Sequence, residues 1–310
     1  MPDNIVKISA EKKATVVSST VALILTILKL TVGVLSGSVA VLASAVDSIL
    51  DLGVSLFNYF AITNSEKPAD RTFNYGRGKI EALASVIEGT IITLSGIFLF
   101  YMAIKKYFND EVSTYLEVSL VVMIISLIIT IGLVAYLNAV AKKTNNMVIK
   151  ADALHYKTDV WTNIAVLVSL VLVTLSGNEI FDVLIGGAIA IFIIYSAYEL
   201  IEDGVLVLLD RAIDEELTTS IKELFKTEKA INDYHFLKTR QAGQNIFVEV
   251  HLVFDCLITL MQAHRVSDII EEKIKLLDID KNWVISIHLD PYDDSIINKE
   301  ENNKSEVING

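Results

Sequence analysis

The chain has 310 residues, a mean hydropathy of +0.51 and 53% hydrophobic residues, which excludes an ordinary soluble enzyme composition. Its formal net charge of −12 argues against nucleic acid as a partner. A single cysteine, Cys256, excludes an intrachain disulfide.

Six apolar runs are long enough to cross a bilayer, at roughly 20 residues per helix. In chain order they are Ala14 to Leu35, Val39 to Thr63, Ile80 to Ala103, Leu116 to Val140, Met147 to Leu175 and Phe181 to Leu209. With three prolines in the chain, these helices are expected to be continuous. The N-terminus starts polar and shows no small-residue cleavage site, so no cleavable signal peptide is expected. Basic residues cluster on one side: Lys7, Lys12 and Lys13 before span one, Lys67, Arg71, Arg77 and Lys79 between spans two and three, and Lys142, Lys143 and Lys150 between spans four and five. The other side carries Lys105 and Lys106, then acids such as Asp110, Glu111, Glu179 and Asp182. Basic loops stay in the cytoplasm, so both termini are expected there.

Ionisable residues within apolar spans are costly and mark function by default. Span two carries Asp47 and Asp51; span five carries His155 and Asp159. Each pair is four apart, which on a helix puts both side chains on one face. Two such helices facing one another converge three carboxylates and an imidazole. Zinc takes four N, O or S ligands, and carboxylates also accept ferrous iron or manganese. The alternative is that these acids are outer hydrogen-bonding partners or line a water-filled crevice. Asp152, one turn before His155, reads as a solvated helix-end carboxylate.

From about Asp210 the pattern changes. Asp214 to Lys229 reads as an amphipathic helix on Leu217, Ile221 and Leu224. Tyr234 to Gln241 and Ile246 to Phe254 read as strands around an Ala242-Gly243-Gln244-Asn245 turn. Leu260 to Leu277 is a second helix and Trp283 to Leu289 a third strand. The order αββαβ predicts a small ferredoxin-like α+β domain with helices on one sheet face. Four of the five histidines fall here: His235, His251, His264 and His288. His288 and Asp290 share a strand face, and His264 and Asp268 share a helix face, with Asp268 orienting His264. The expected organisation is a cytoplasmic arm over 1–13, a six-helix transmembrane domain over 14–209, a cytosolic metal-binding domain over 210–292 and a disordered tail over 293–310.

Three segments resemble the cation diffusion facilitator family. They are Ser38-Val-Ala-Val-Leu-Ala-Ser-Ala-Val-Asp-Ser-Ile-Leu-Asp51 in span two, Ala151-Asp-Ala-Leu-His-Tyr-Lys-Thr-Asp159 in span five, and Pro68 to Glu81 leading into span three. The resemblance runs from about residue 10 to 292. It implies a homodimer in the cell inner membrane that exports divalent metal, with zinc, ferrous iron and cadmium as candidates, in exchange for protons. It assigns Asp47, Asp51, His155 and Asp159 to a transport site. It assigns His235, His251, His264, His288 and Asp290 to a cytosolic binuclear site, and Lys79 and Asp210 to a charge interlock. Relatives carry a further metal site in the loop between spans two and three, built from one Asp and two His. Here Asp70 fits, but Phe73 and Arg77 occupy the histidine positions, and neither side chain ligates metal, so no site is expected there.

Two other classes compete with a transporter. A metal-dependent membrane enzyme is disfavoured, because no H-E-x-x-H pair or nucleophile elbow is present. A channel needs ligands weak enough for rapid release, and a pure sensor needs no proton coupling.

Overall fold

A computed structural model describes residues 9–36, 39–109, 117–176 and 180–293. Residues 1–8 of the arm and 294–310 of the tail expected from the sequence lie outside these. The chain divides into two compact units, residues 1–208 and 209–310.

The first unit is helical: α1 (Ala10–Ser36), α2 (Val39–Ser65), α3 (Lys79–Asn109), α4 (Glu117–Thr144), α5 (Met147–Ser176) and α6 (Ile180–Leu208). Among the described residues, four of them (α1, α3, α4 and α6) are apolar and long enough to cross a membrane. The remaining two, α2 and α5, carry the ionisable pairs. Large apolar side chains such as Leu94, Ile128 and Ile191 stand on the outside, where a soluble protein would place charge. The interior is built from small and branched residues. Ala14, Ala61, Ile62, Ala84, Leu137, Ile149 and Ala153 form its main cluster with Tyr156. Some buried hydroxyls bond back to their own helix: Thr130 donates to the Ser126 carbonyl at 2.9 Å and Thr26 to the Ala22 carbonyl at 2.8 Å.

Two local devices fix the helices that matter. At the α4–α5 corner, Asn145 takes a left-handed φ of 51° and its N–H donates to the Ala141 carbonyl at 2.8 Å, closing α4. Asn146 then accepts from the N–H groups of Val148 and Ile149 at 2.9 and 3.2 Å, opening α5. α3 lies close along α6. A Cβ at Gly204 would come within 2.6 Å of Val86, and one at Gly89 within 2.8 Å of Ile201. Such close approach is how small residues drive helix packing in lipid.

The second unit follows the expected order: α7 (Glu215–Thr227), β1 (Asp233–Ala242), β2 (Asn245–Val253), α8 (Leu260–Lys275) and β3 (Asn282–Asp290). The sheet order is β1-β2-β3, with β1 antiparallel and β3 parallel to β2. Ile221 and Phe225 of α7 and Ile270 and Ile274 of α8 pack with Val248, Val250 and Leu252, so one sheet face is buried. α8 opens on a capping box: Gln262 N–H donates to Thr259 Oγ1, and Thr259 N–H donates to Gln262 Oε1.

Candidate metal centres

The helical pairs converge. One donor atom from each of Asp51, His155 and Asp159 lies within 4.8 Å of the others. His155 Nε2 is 3.2 Å from Asp51 Oδ1, and its ring packs edge-on against Tyr156 at 5.5 Å between centroids. The Tyr156 hydroxyl is held by Ser55 Oγ at 2.8 Å, so α5 is pinned to α2 beside the donors. A cavity of about 570 Å³ reaches Asp51 and Asp159 and is also lined by Ser48, Thr162 and Asn163. Asp47 sits on α2 one turn before Asp51, but its side chain lies outside the described residues.

Asp152 corrects the reading made from sequence. It is not a solvated helix-end carboxylate but fully buried. The Asn58 amide donates to Asp152 Oδ1 at 3.2 Å and to Glu88 Oε2 at 3.1 Å, joining α5, α2 and α3. The burial is tertiary: α2 and α3 close over the end of α5 that hydropathy alone leaves near water. Glu88, Asn58 and Tyr156 escaped the sequence reading, although a carboxylate in the apolar run of α3 was a visible signal.

In the second unit three histidines form a row across the sheet. His235 pairs with His251, and His251 pairs with His288. Their ring centroids are 5.0 and 4.6 Å apart. Asp290, buried at the end of β3, collects them: His251 Nδ1 at 3.0 Å and His235 Nε2 at 3.3 Å from Oδ2, and His288 Nε2 at 3.1 Å from Oδ1. Asp293 adds a second carboxylate, 3.7 Å from His235 Nδ1, at a position read from sequence as tail.

His235 reaches this row through a bulge. Lys238 pairs with Glu249, so unbroken pairing would set His235 opposite Leu252, on the buried face. An irregularity between His235 and Lys238 shifts the register by one and turns the imidazole to the histidine face. The extra residue is absorbed at Phe236, whose φ of 53° is left-handed. Its ring packs against both His235 and His251.

His264 is not brought into the row. On α8 it is exposed beside Asp268, 3.8 Å away. In the loop before α3, Asp70 is engaged internally. Its Oδ1 accepts from Thr72 and Phe73 N–H, both at 2.8 Å, and its Oδ2 takes Arg77 at 2.5 Å. Arg77 lies over the Phe73 ring at 4.4 Å. The Phe73 and Thr72 amides, with the Arg77 guanidinium, hold the Asp70 carboxyl below its usual range. Lys79 donates to the Leu208 carbonyl at 3.0 Å, and Asp210 accepts from Arg240 at 3.2 Å.

A helical unit with carboxylate and imidazole donors inside apolar helices, followed by a unit bearing a histidine row, is the arrangement of a membrane transporter of metal cations. Residues 15–209 match the cation efflux transmembrane domain and residues 213–292 the cation efflux protein cytoplasmic domain. The chain is 34% identical over 280 residues to the cation-efflux pump FieF of Serratia proteamaculans, covering 90% of this chain and 92% of that protein. It is 35% identical over 262 residues to the cation-efflux pump FieF of Escherichia coli K12, covering 84% and 87%. The solved zinc form of CzrB is 28% identical, covers 26% of this chain and 92% of that one, and has a TM-score of 0.24. The chain belongs to the cation efflux family: it is a transporter, not an enzyme.

Proposed function

We propose that this protein exports divalent metal cations from the cytoplasm in exchange for protons, with zinc as the principal substrate and ferrous iron and cadmium as others. The observation that carries this is the convergence of Asp51, His155 and Asp159 inside the helical unit; Asp47, one turn before Asp51 on α2, is the proposed fourth ligand. One nitrogen and several oxygens suit zinc and tolerate harder ions. Metal and proton compete for the same lone pairs on His155 and the carboxylates, so loading metal sheds protons. The imidazole is the side chain that ordinarily changes charge near neutral pH.

The protein works as a homodimer in the inner membrane with both termini in the cytoplasm, where basic loop residues belong. The cytosolic domain, residues 210–292, binds metal through His235, His251, His288 and Asp290. His264, oriented by Asp268, completes a second ion's coordination. Lys79 and Asp210 act as a charge interlock near the membrane surface.

The test is zinc uptake into inside-out vesicles with an acidic lumen. Uptake faster than without the gradient, with alkalinisation of the lumen, is expected. Uptake indifferent to the gradient and without proton movement replaces antiport by facilitated diffusion.

A further inference from the structure

Glu88 and Asp152 lie on different helices and are both fully buried, at 1% and 0% exposure, around the Asn58 amide, itself 0% exposed. The amide nitrogen satisfies one oxygen of each carboxyl group. Three atoms are left without a partner in the interior: Glu88 Oε1, Asp152 Oδ2 and Asn58 Oδ1. Among the described residues, neither carboxyl group has a lysine or arginine partner. Two buried like charges around one neutral amide cannot both persist at ordinary cost, so the pair needs a bound cation or a proton.

The chemistry of the amide selects the proton. A carboxylate accepts only, whereas a carboxylic acid also donates. With its nitrogen inward, Asn58 donates to two carboxylates. Rotated by half a turn, its carbonyl accepts the O–H of a protonated one, and the two orientations differ only in which end carries hydrogen. The bare oxygens are where that proton sits in one state and is missing in the other.

We infer that Glu88 and Asp152, bridged by Asn58, form a proton-binding site inside the membrane, separate from the metal ligands, that empties when a divalent cation is loaded. The inference rests on the proton-coupled reading and names where part of the exchanged proton is held. Among the described residues, the ionisable groups whose charge reaches Glu88 are Asp152 and His155; those reaching Asp152 are His155, Asp51 and Tyr156, with the Ser18 hydroxyl of α1, which donates to the Thr15 carbonyl, beside it. An incoming divalent charge near His155 makes an ionised Glu88 less costly. The Glu88 O–H bond then breaks, its electron pair stays on the carboxylate, and the proton passes to water. Departure of the metal reverses the step.

The experiment measures protons released per zinc bound by the purified full-length protein in weak buffer. Glu88→Gln, a permanently neutral mimic of the acid, is expected to release about one proton fewer per zinc than wild type. Asp152→Asn serves as the second variant should Glu88→Gln misfold. An infrared difference spectrum of wild type is expected to lose a protonated-carboxyl band on zinc addition, and that band is expected to be missing from Glu88→Gln. Unchanged release and an unchanged carboxyl band in a folded variant overturn the site while leaving antiport intact. Zinc binding to wild type without any proton release overturns antiport and the site together.

Discussion

His155 Nε2 lies 3.2 Å from Asp51 Oδ1 across 104 positions of sequence, so one contact joins α5 to α2 at the point where donors converge. A cation entering there displaces a hydrogen bond with two liganding atoms already in place. Asp51→Ala and Asp159→Ala are each expected to lower zinc flux by more than about 100-fold, since even outer-shell losses cost about 10–100-fold in affinity. The measurement is uptake into vesicles by a variant with normal expression and size. Near-normal uptake by either variant removes the transport-site assignment.

Zinc is expected to raise the melting temperature of the 209–310 unit, because an ion that binds only the folded state stabilises it, by about 2.7 kcal/mol at a hundredfold excess over Kd. Asp290→Ala takes away the carboxylate that meets three imidazoles and is expected to cancel most of the shift. A variant that keeps the full zinc-induced shift shows that Asp290 is a bystander.

The proposed interlock of Lys79 with Asp210 is tested by charge reversal. Lys79→Asp is expected to impair transport, and the double variant with Asp210→Lys to restore part of it. An exposed pair contributes only about 0–1 kcal/mol, so thermal stability is expected to move little while flux moves more. Arg240→Ala is the informative control, because Arg240 is 3.2 Å from Asp210. Equal flux in all of these variants returns Lys79 and Asp210 to ordinary surface charge.

Gly204→Leu is expected to destabilise the helical unit by about 1–3 kcal/mol through overpacking against Val86 and Ser85. Gly132→Ala is expected to be silent, since nothing lies within 4 Å of a Cβ there. Thermal unfolding in detergent compares the two. Equal melting temperatures for Gly204→Leu and wild type refute the close α3–α6 approach.

Asp70 gives a signed pH prediction. Its carboxyl is held below the ordinary value of 3.8, so its contribution to the loop is complete above that value and is lost as pH falls through the lowered one. The loop is therefore expected to keep one conformation from pH 5 to 8. Carboxyl chemical shifts in an Asp70-labelled sample follow it, and a titration step within that window contradicts the hydrogen-bonded arrangement.

The i,i+4 pairing of His155 with Asp159 was legible in sequence because both residues sit on one helix, where spacing alone fixes the shared face. The elements of the second unit were legible within a few residues for the same reason: the helix read at Asp214 to Lys229 forms as Glu215–Thr227. Asp152 reads as solvated in the sequence because its surroundings come from three other helices, α1, α2 and α3. Glu88 was overlooked because its partner, Asn58, is neutral and 30 residues away. The resemblance assigns His264 to one site with the other histidines, while α8 carries it to an exposed surface beside Asp268. The face of His235 was illegible, since alternation within β1 assigns it to the core.

That last residue shows how the fold and the metal row separate. Deleting one of the two residues between His235 and Lys238 would give β1 and β2 an uninterrupted ladder with His235 still opposite His251. Straightening the strand with both residues kept would instead set His235 opposite Leu252, on the buried face and away from Asp290. Histidine count and composition are the same in the bulged and the straightened strand, so screens that score residue identity alone do not tell them apart. Homologues of equal histidine content are therefore best compared by spacing and bulge together: two intervening residues with a bulge, or one without, put the third imidazole on the row.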